Sequence, residues 1–110
     1  MSNETAKPIR IMLADDHELV LAGLSALLQA ESDIDLVGAF KDGERLLEAA
    51  RREKPDLVVV DWHMPTGALE ILKCIRAERL PIKVLVLTAF DEGEEVQRQG
   101  APATVVELGR

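Results

Sequence analysis

Four aliphatic residues in succession, Leu57 to Val60, stand between Asp56 and Asp61. A strand with one wet face alternates apolar and polar residues, whereas a strand apolar at consecutive positions must be covered on both faces. This run therefore demands a sheet with helices above and below it. The rest of the chain supplies matching parts in alternation. Ile9 to Ala14 is a short apolar run ending in Asp15 and Asp16. Val20, Leu24, Leu27 and Leu28 then recur at helical spacing. Ile34 to Phe40 reads as a second strand, and Leu46, Leu47 and Ala50 mark a second helix stopped by Pro55. Gly67 opens a third helix with Leu69, Leu72 and Ile75 inward and Lys73, Arg76 and Arg79 outward. Ile82 to Thr88 is a fourth strand, Asp91 to Gln99 a short polar helix capped by Gly100, and Ala103 to Val106 a weak fifth strand. Such alternation with short connections predicts a parallel, doubly wound α/β sheet with right-handed crossovers.

A chain of 110 residues, 47% of them hydrophobic, is one compact domain with a real core. Residues 1–8 read as a polar tail and residues 9–110 as the domain. Twenty acidic residues against 13 basic ones leave a net charge of −7. That balance argues against gripping nucleic acid or an anionic membrane, and favours a cationic partner such as a metal ion. The single cysteine, Cys74, excludes an intrachain disulfide and a thiolate metal site. Cys74 reads as a small apolar filler on the third helix. With neither an apolar leader nor a run long enough to span a bilayer, the expectation is a cytoplasmic domain.

In open parallel sheets the site lies beyond the carboxyl ends of the strands. Asp15 and Asp16 follow strand one, Asp61 ends strand three and Thr88 ends strand four, so all four belong at one edge. Three carboxylates there repel one another unless a cation sits among them, and hard oxygen ligands suit Mg²⁺. A carboxylate can also act as a nucleophile toward phosphorus, with a divalent ion neutralising the charge in transfer. Thr88 is placed to hold a phosphoryl oxygen. Pro65 fixes the turn after Asp61, which can aim the His63 backbone carbonyl at the metal. His17 and His63 each follow an acidic strand end, and with the three aspartates they can also compose a Zn²⁺ or Mn²⁺ site. The simpler expectation makes them loop residues, His63 lending its carbonyl alone. Trp62, the only tryptophan, reads as a partly exposed apolar residue beside the site.

These blocks, Ile9 to Leu28, Val58 to Pro65 and Ile82 to Phe90, resemble the receiver domain of bacterial response regulators in two-component signalling, with the first most similar to the LuxR/NarL-type subfamily. The resemblance covers roughly residues 9–101. It implies a flavodoxin-like (CheY-like) five-stranded α/β fold. It further implies a phosphoacceptor at Asp61, a Mg²⁺-binding acidic pair at Asp15 and Asp16, a switch hydroxyl at Thr88 and a sensor histidine kinase as partner.

The last third departs from that family. Its strand-five lysine falls at Glu107 here, and its switch aromatic at Thr104. A unit charge at ~5 Å is worth roughly 3 kcal/mol at an effective dielectric of ~20, so this exchange weakens recognition of a phosphorylated Asp61. Lys83, at the start of strand four, is no substitute. The fourth helix and the loop after Asp61 are shorter than usual. The chain stops at Arg110, before a fifth helix or a DNA-binding segment, so the expected fold has the fifth helix absent. One sheet face would then lack its cover and invite a homodimer or a partner protein. The alternative function is accordingly a degenerate receiver that acts as an interaction module without phospho-switching. An aspartate-dependent phosphatase fits poorly, since His63 stands where such enzymes carry a second acid. A nucleotide-binding domain lacks its glycine-rich loop.

Overall fold

The computed structural model describes residues 7–62, 64, 66–89 and 103–108, with residues 88–89 and 103–108 as backbone alone. Five strands, β1 (Ile9–Ala14), β2 (Ile34–Phe40), β3 (Leu57–Asp61), β4 (Lys83–Ala89) and β5 (Ala103–Leu108), form one parallel sheet in the order β2-β1-β3-β4-β5. Three helices, α1 (Glu18–Gln29), α2 (Gly43–Glu53) and α3 (Ala68–Ala77), supply the first three crossovers. The expected polar helix at Asp91–Gln99 and its cap at Gly100 lie outside the described residues. Among those residues, no helix is long and apolar enough to cross a membrane.

The consecutive aliphatics of β3 are used as their spacing demands. Val58 and Val60 are fully buried on one face with Met12, Ala14, Val84 and Val86, under Leu46 and Leu47 of α2 and Ile71, Leu72 and Ile75 of α3. Val59 faces the other way with Ile11 and Leu13, beneath Leu21, Leu24 and Leu28 of α1. A core leucine or isoleucine in the first cluster is worth about 2–5 kcal/mol against alanine. Cys74 is half-buried against that cluster, the filler expected of it.

Two helical faces differ in phase from their sequence reading. On α1 the covering stripe is Leu21, Leu24 and Leu28, while Val20 and Leu27 are 43% and 67% exposed. On α3, Ile71 is buried rather than Leu69, which is only partly covered. Among the described residues α1 is the one helix over the second face, where Leu85 and Leu87 are packed but not fully covered.

The second helix is held to the site by its N-terminus. Asp42 caps it, accepting from the Arg45 backbone N–H at 2.8 Å. Gly43 presses against the segment after β3, and a β-carbon there would meet the Thr66 carbonyl oxygen.

Candidate functional site

β1 and β3 are neighbours, yet the chain leaves them in opposite directions, through α1 to β2 and through α3 to β4. That divergence opens a crevice at their carboxyl ends, the place where ligands bind in sheets of this order. Asp15 and Asp61 stand on its two sides. Asp15 directly follows β1, and its backbone N–H donates to the Phe40 carbonyl at 3.0 Å. It is 5% exposed, the one buried charged residue among those described. Asp61 ends β3 opposite Leu87, and the Trp62 N–H fixes the exit by donating to the Leu87 carbonyl at 3.0 Å. The Asp61 side chain is 15% exposed and that of Asp16 37% exposed.

His17 joins this group, although the sequence reading left it as a loop residue. Asp15 Oδ1 accepts from the His17 backbone N–H at 2.8 Å, a short turn that folds the chain back over the aspartates. The ring follows. Nδ1 lies 3.1 Å from Asp15 Oδ1, 3.2 Å from Asp16 Oδ1 and 3.8 Å from Asp61 Oδ2. One donor atom from each of the four residues falls within 4.8 Å of the others. The hydrogen bond to Asp15 raises the His17 pKa above its ordinary 6.5, helped by the negative charges of Asp16, Asp15 and Asp61.

The donor set tests what the cluster can hold. Carboxylates this close, one of them buried, are mutually repulsive and call for a positive charge between them. Their oxygens are hard ligands, and the partial exposure of Asp16 leaves one side open to water. Both properties fit Mg²⁺, which keeps several waters when bound. Asp15, Asp16 and Asp61 would hold it.

Thr88 occupies the same edge by backbone, one position past Leu87 of β4, and it pairs in register with Glu107 of β5. The side chains of Thr88, Thr104 and Glu107 lie outside the described residues, as do His63 and Pro65. Trp62 is half-buried and packs on the core. Beside it a shallow groove is lined by Glu44, Leu47, Thr66, Leu69 and Cys74.

Comparison with known proteins gives a consistent picture. The family described as response regulator receiver domain matches residues 11–104. The response regulator protein VraR of Staphylococcus saprophyticus is 39% identical over 92 residues, which cover 83% of this chain and 44% of that protein. The chain thus spans less than half the length of this relative. Among solved structures, the signal receiver domain of NarL from Mycobacterium tuberculosis superposes with a TM-score of 0.83 at 28% identity, covering 91% of this chain and 84% of that one. The response regulator domain of Thermotoga maritima CheB does so with 0.78 at 29% identity, covering 92% of this chain and 78% of that one.

Proposed function

This chain belongs to the response regulator receiver domain family of two-component signalling, with relatives of the LuxR/NarL type, and from that premise we propose that Asp61 accepts a phosphoryl group from a sensor histidine kinase in a Mg²⁺-dependent reaction. The observation that carries this reading is the gathering of Asp15, Asp16 and Asp61 at one sheet edge, with oxygens inside 4.8 Å. Asp61 is the acceptor because it ends the central strand and is open enough to be reached, while Asp15 is buried. An Asp61 oxygen attacks phosphorus. The P–N bond of a phosphohistidine breaks, its electron pair returns to the imidazole, and an acyl phosphate remains on Asp61. A bound Mg²⁺ supplies neutralisation of the charge shared by carboxylate and phosphoryl oxygens. The buried carboxylate of Asp15, the more open one of Asp16 and Asp61 itself would hold that ion, with the His63 carbonyl as the further ligand expected from the sequence. Thr88 takes a phosphoryl oxygen once the group has arrived. The chain acts as an acceptor and reporter in the cytoplasm, rather than as an enzyme with a free product.

A second reading rests on the register of the last two strands. Glu107 pairs with Thr88, and the family resemblance implies lysine at Glu107. An interaction module that no longer switches, paired with a second copy of the chain or a partner protein, accommodates that reversal of charge. Intact mass after incubation with acetyl phosphate and Mg²⁺ separates the two. One phosphoryl adduct, absent in Asp61→Asn and without Mg²⁺, is expected. No adduct on folded protein rejects the acceptor reading and leaves the interaction module.

A further inference from the structure

We propose that the groove between α2 and α3 is a docking surface for a basic amphipathic helix of a partner protein. This surface goes beyond the phosphoryl chemistry read above and does not depend on it. The floor of the groove is apolar. Leu47 of α2 is buried at its base, while Trp62, Leu69 and Cys74 line it half-buried. Their open sides are apolar surface that the core leaves uncovered. The groove measures about 570 Å³, which is room for several side chains and within the range of binding clefts. Both charged residues that line it are acidic, Glu44 from α2 and Glu70 from α3. Each helix thus brings one carboxylate to the rim.

The charges select the occupant. Glu44 and Glu70 are exposed and form no ion pair among the described residues. The nearby cations of α2 are engaged elsewhere. Arg45 lies 3.7 Å from the Asp42 carboxylate, and Arg51 makes two 2.8 Å contacts with Glu78. Arg51 follows Leu47, and Glu78 follows Cys74, at the spacing of one helix face. Their bridge therefore ties α2 to the end of α3 one turn beyond the floor. A groove held at its width before binding costs less to order. An apolar side chain fills its floor, and lysine or arginine on either flank meets Glu44 and Glu70. A helix with an apolar stripe and basic flanks presents that pattern. Nucleic acid and anionic membranes are repelled by the same two carboxylates. A small organic cation satisfies the charges but leaves the floor uncovered.

The test titrates the full chain with a short helical peptide of leucine and lysine that lacks tryptophan. Trp62, the only tryptophan, reports from inside the groove. A saturable change in its emission is expected. Affinity should fall at least about tenfold in Glu44→Lys/Glu70→Lys, as like charges set against each other in an interface do. Glu44→Gln/Glu70→Gln should show a smaller loss in the same direction, with circular dichroism checking that both variants fold. Glu31→Lys/Asp35→Lys carries the same net charge outside the groove and should bind like wild type, as should Asp61→Asn. A peptide with alanine in place of leucine should bind more weakly. Equal losses in the two lysine variants, or equal binding by the alanine peptide, overturn the inference and leave general attraction to an acidic protein. Loss of binding in Asp61→Asn overturns it as well, since the peptide would then sit on the aspartates at the sheet edge. Displacement of the peptide by spermidine at equal concentration overturns it in favour of a small-cation site. Binding seen by calorimetry without a change at Trp62 places the peptide elsewhere and rejects the groove.

Discussion

Asp15 is 5% exposed, and its Oδ1 accepts from the His17 backbone N–H while lying 3.1 Å from the ring nitrogen. One oxygen thus does two jobs, closing a turn and facing the site. Asparagine at this position keeps the acceptor and removes the charge, which separates the jobs. Asp15→Asn is expected to fold normally and to bind Mg²⁺ about tenfold or more weakly, the scale at which shells around metals act. Titration of Trp62 fluorescence with Mg²⁺ checks this, and an unchanged affinity would remove Asp15 from the ligand set. The aspartates were legible in the sequence because each ends or follows an apolar run, and parallel sheets bring such ends together. For His17 the sequence left two readings open, a partner of the aspartates or a loop residue, because the choice depends on a two-residue turn rather than on strand placement. An aspartate two residues ahead of a histidine at a strand end is the signal that reveals it.

Among the elements, α2 is the one whose sequence and position agree most closely. Leu46, Leu47 and Ala50 are buried as their spacing predicts, and the structure adds the cap at Asp42 and the buried Ala49. Gly43 adds a constraint that periodicity does not show, since a side chain there meets the carbonyl of Thr66 and the end of the Ile71 side chain. Gly43→Ala is expected to destabilise the fold by about 1–3 kcal/mol, as overpacking against unyielding backbone does, measurable by urea unfolding. A change within error would mean that the Thr66 segment yields freely. Helices α1 and α3 illustrate the limit of sequence reading at this scale. Spacing announces a helix, but the phase of its inward face depends on where the sheet lies. Leu27 and Leu28 are equally apolar neighbours, and only contact with Ile11, Leu13 and Val59 decides between them.

At the scale of the molecule, ion pairs among the described residues tie separate elements together. Glu18 of α1 pairs with Lys41, between β2 and α2, and Arg51 of α2 grips Glu78, just past α3, with two contacts of 2.8 Å. Hydrogen bonding to these cations holds both glutamates below the ordinary 4.5. A lowered pKa adds stability that is fully present above 4.5 and is lost as pH falls through the folded-state value. Glu78→Gln should therefore be slightly less stable than wild type near neutrality and match it in strong acid. Unfolding curves across that range check this, and a constant difference at all pH values would contradict it. The parallel, doubly wound class was legible because alternation leaves few topologies open. The pairs were not, because no spacing joins residues as far apart as Arg51 and Glu78. The order β2-β1-β3-β4-β5 also fixes a sequence of events in time. A chain made from its N-terminus at about 5–20 residues per second holds every carboxylate of the site once residue 61 is added. The acidic pocket needs β3 beside β1, and both strands precede β4 and β5 in the chain. Every carboxylate of the proposed pocket is thus made before the strand that carries Thr88 and the strand that pairs with it.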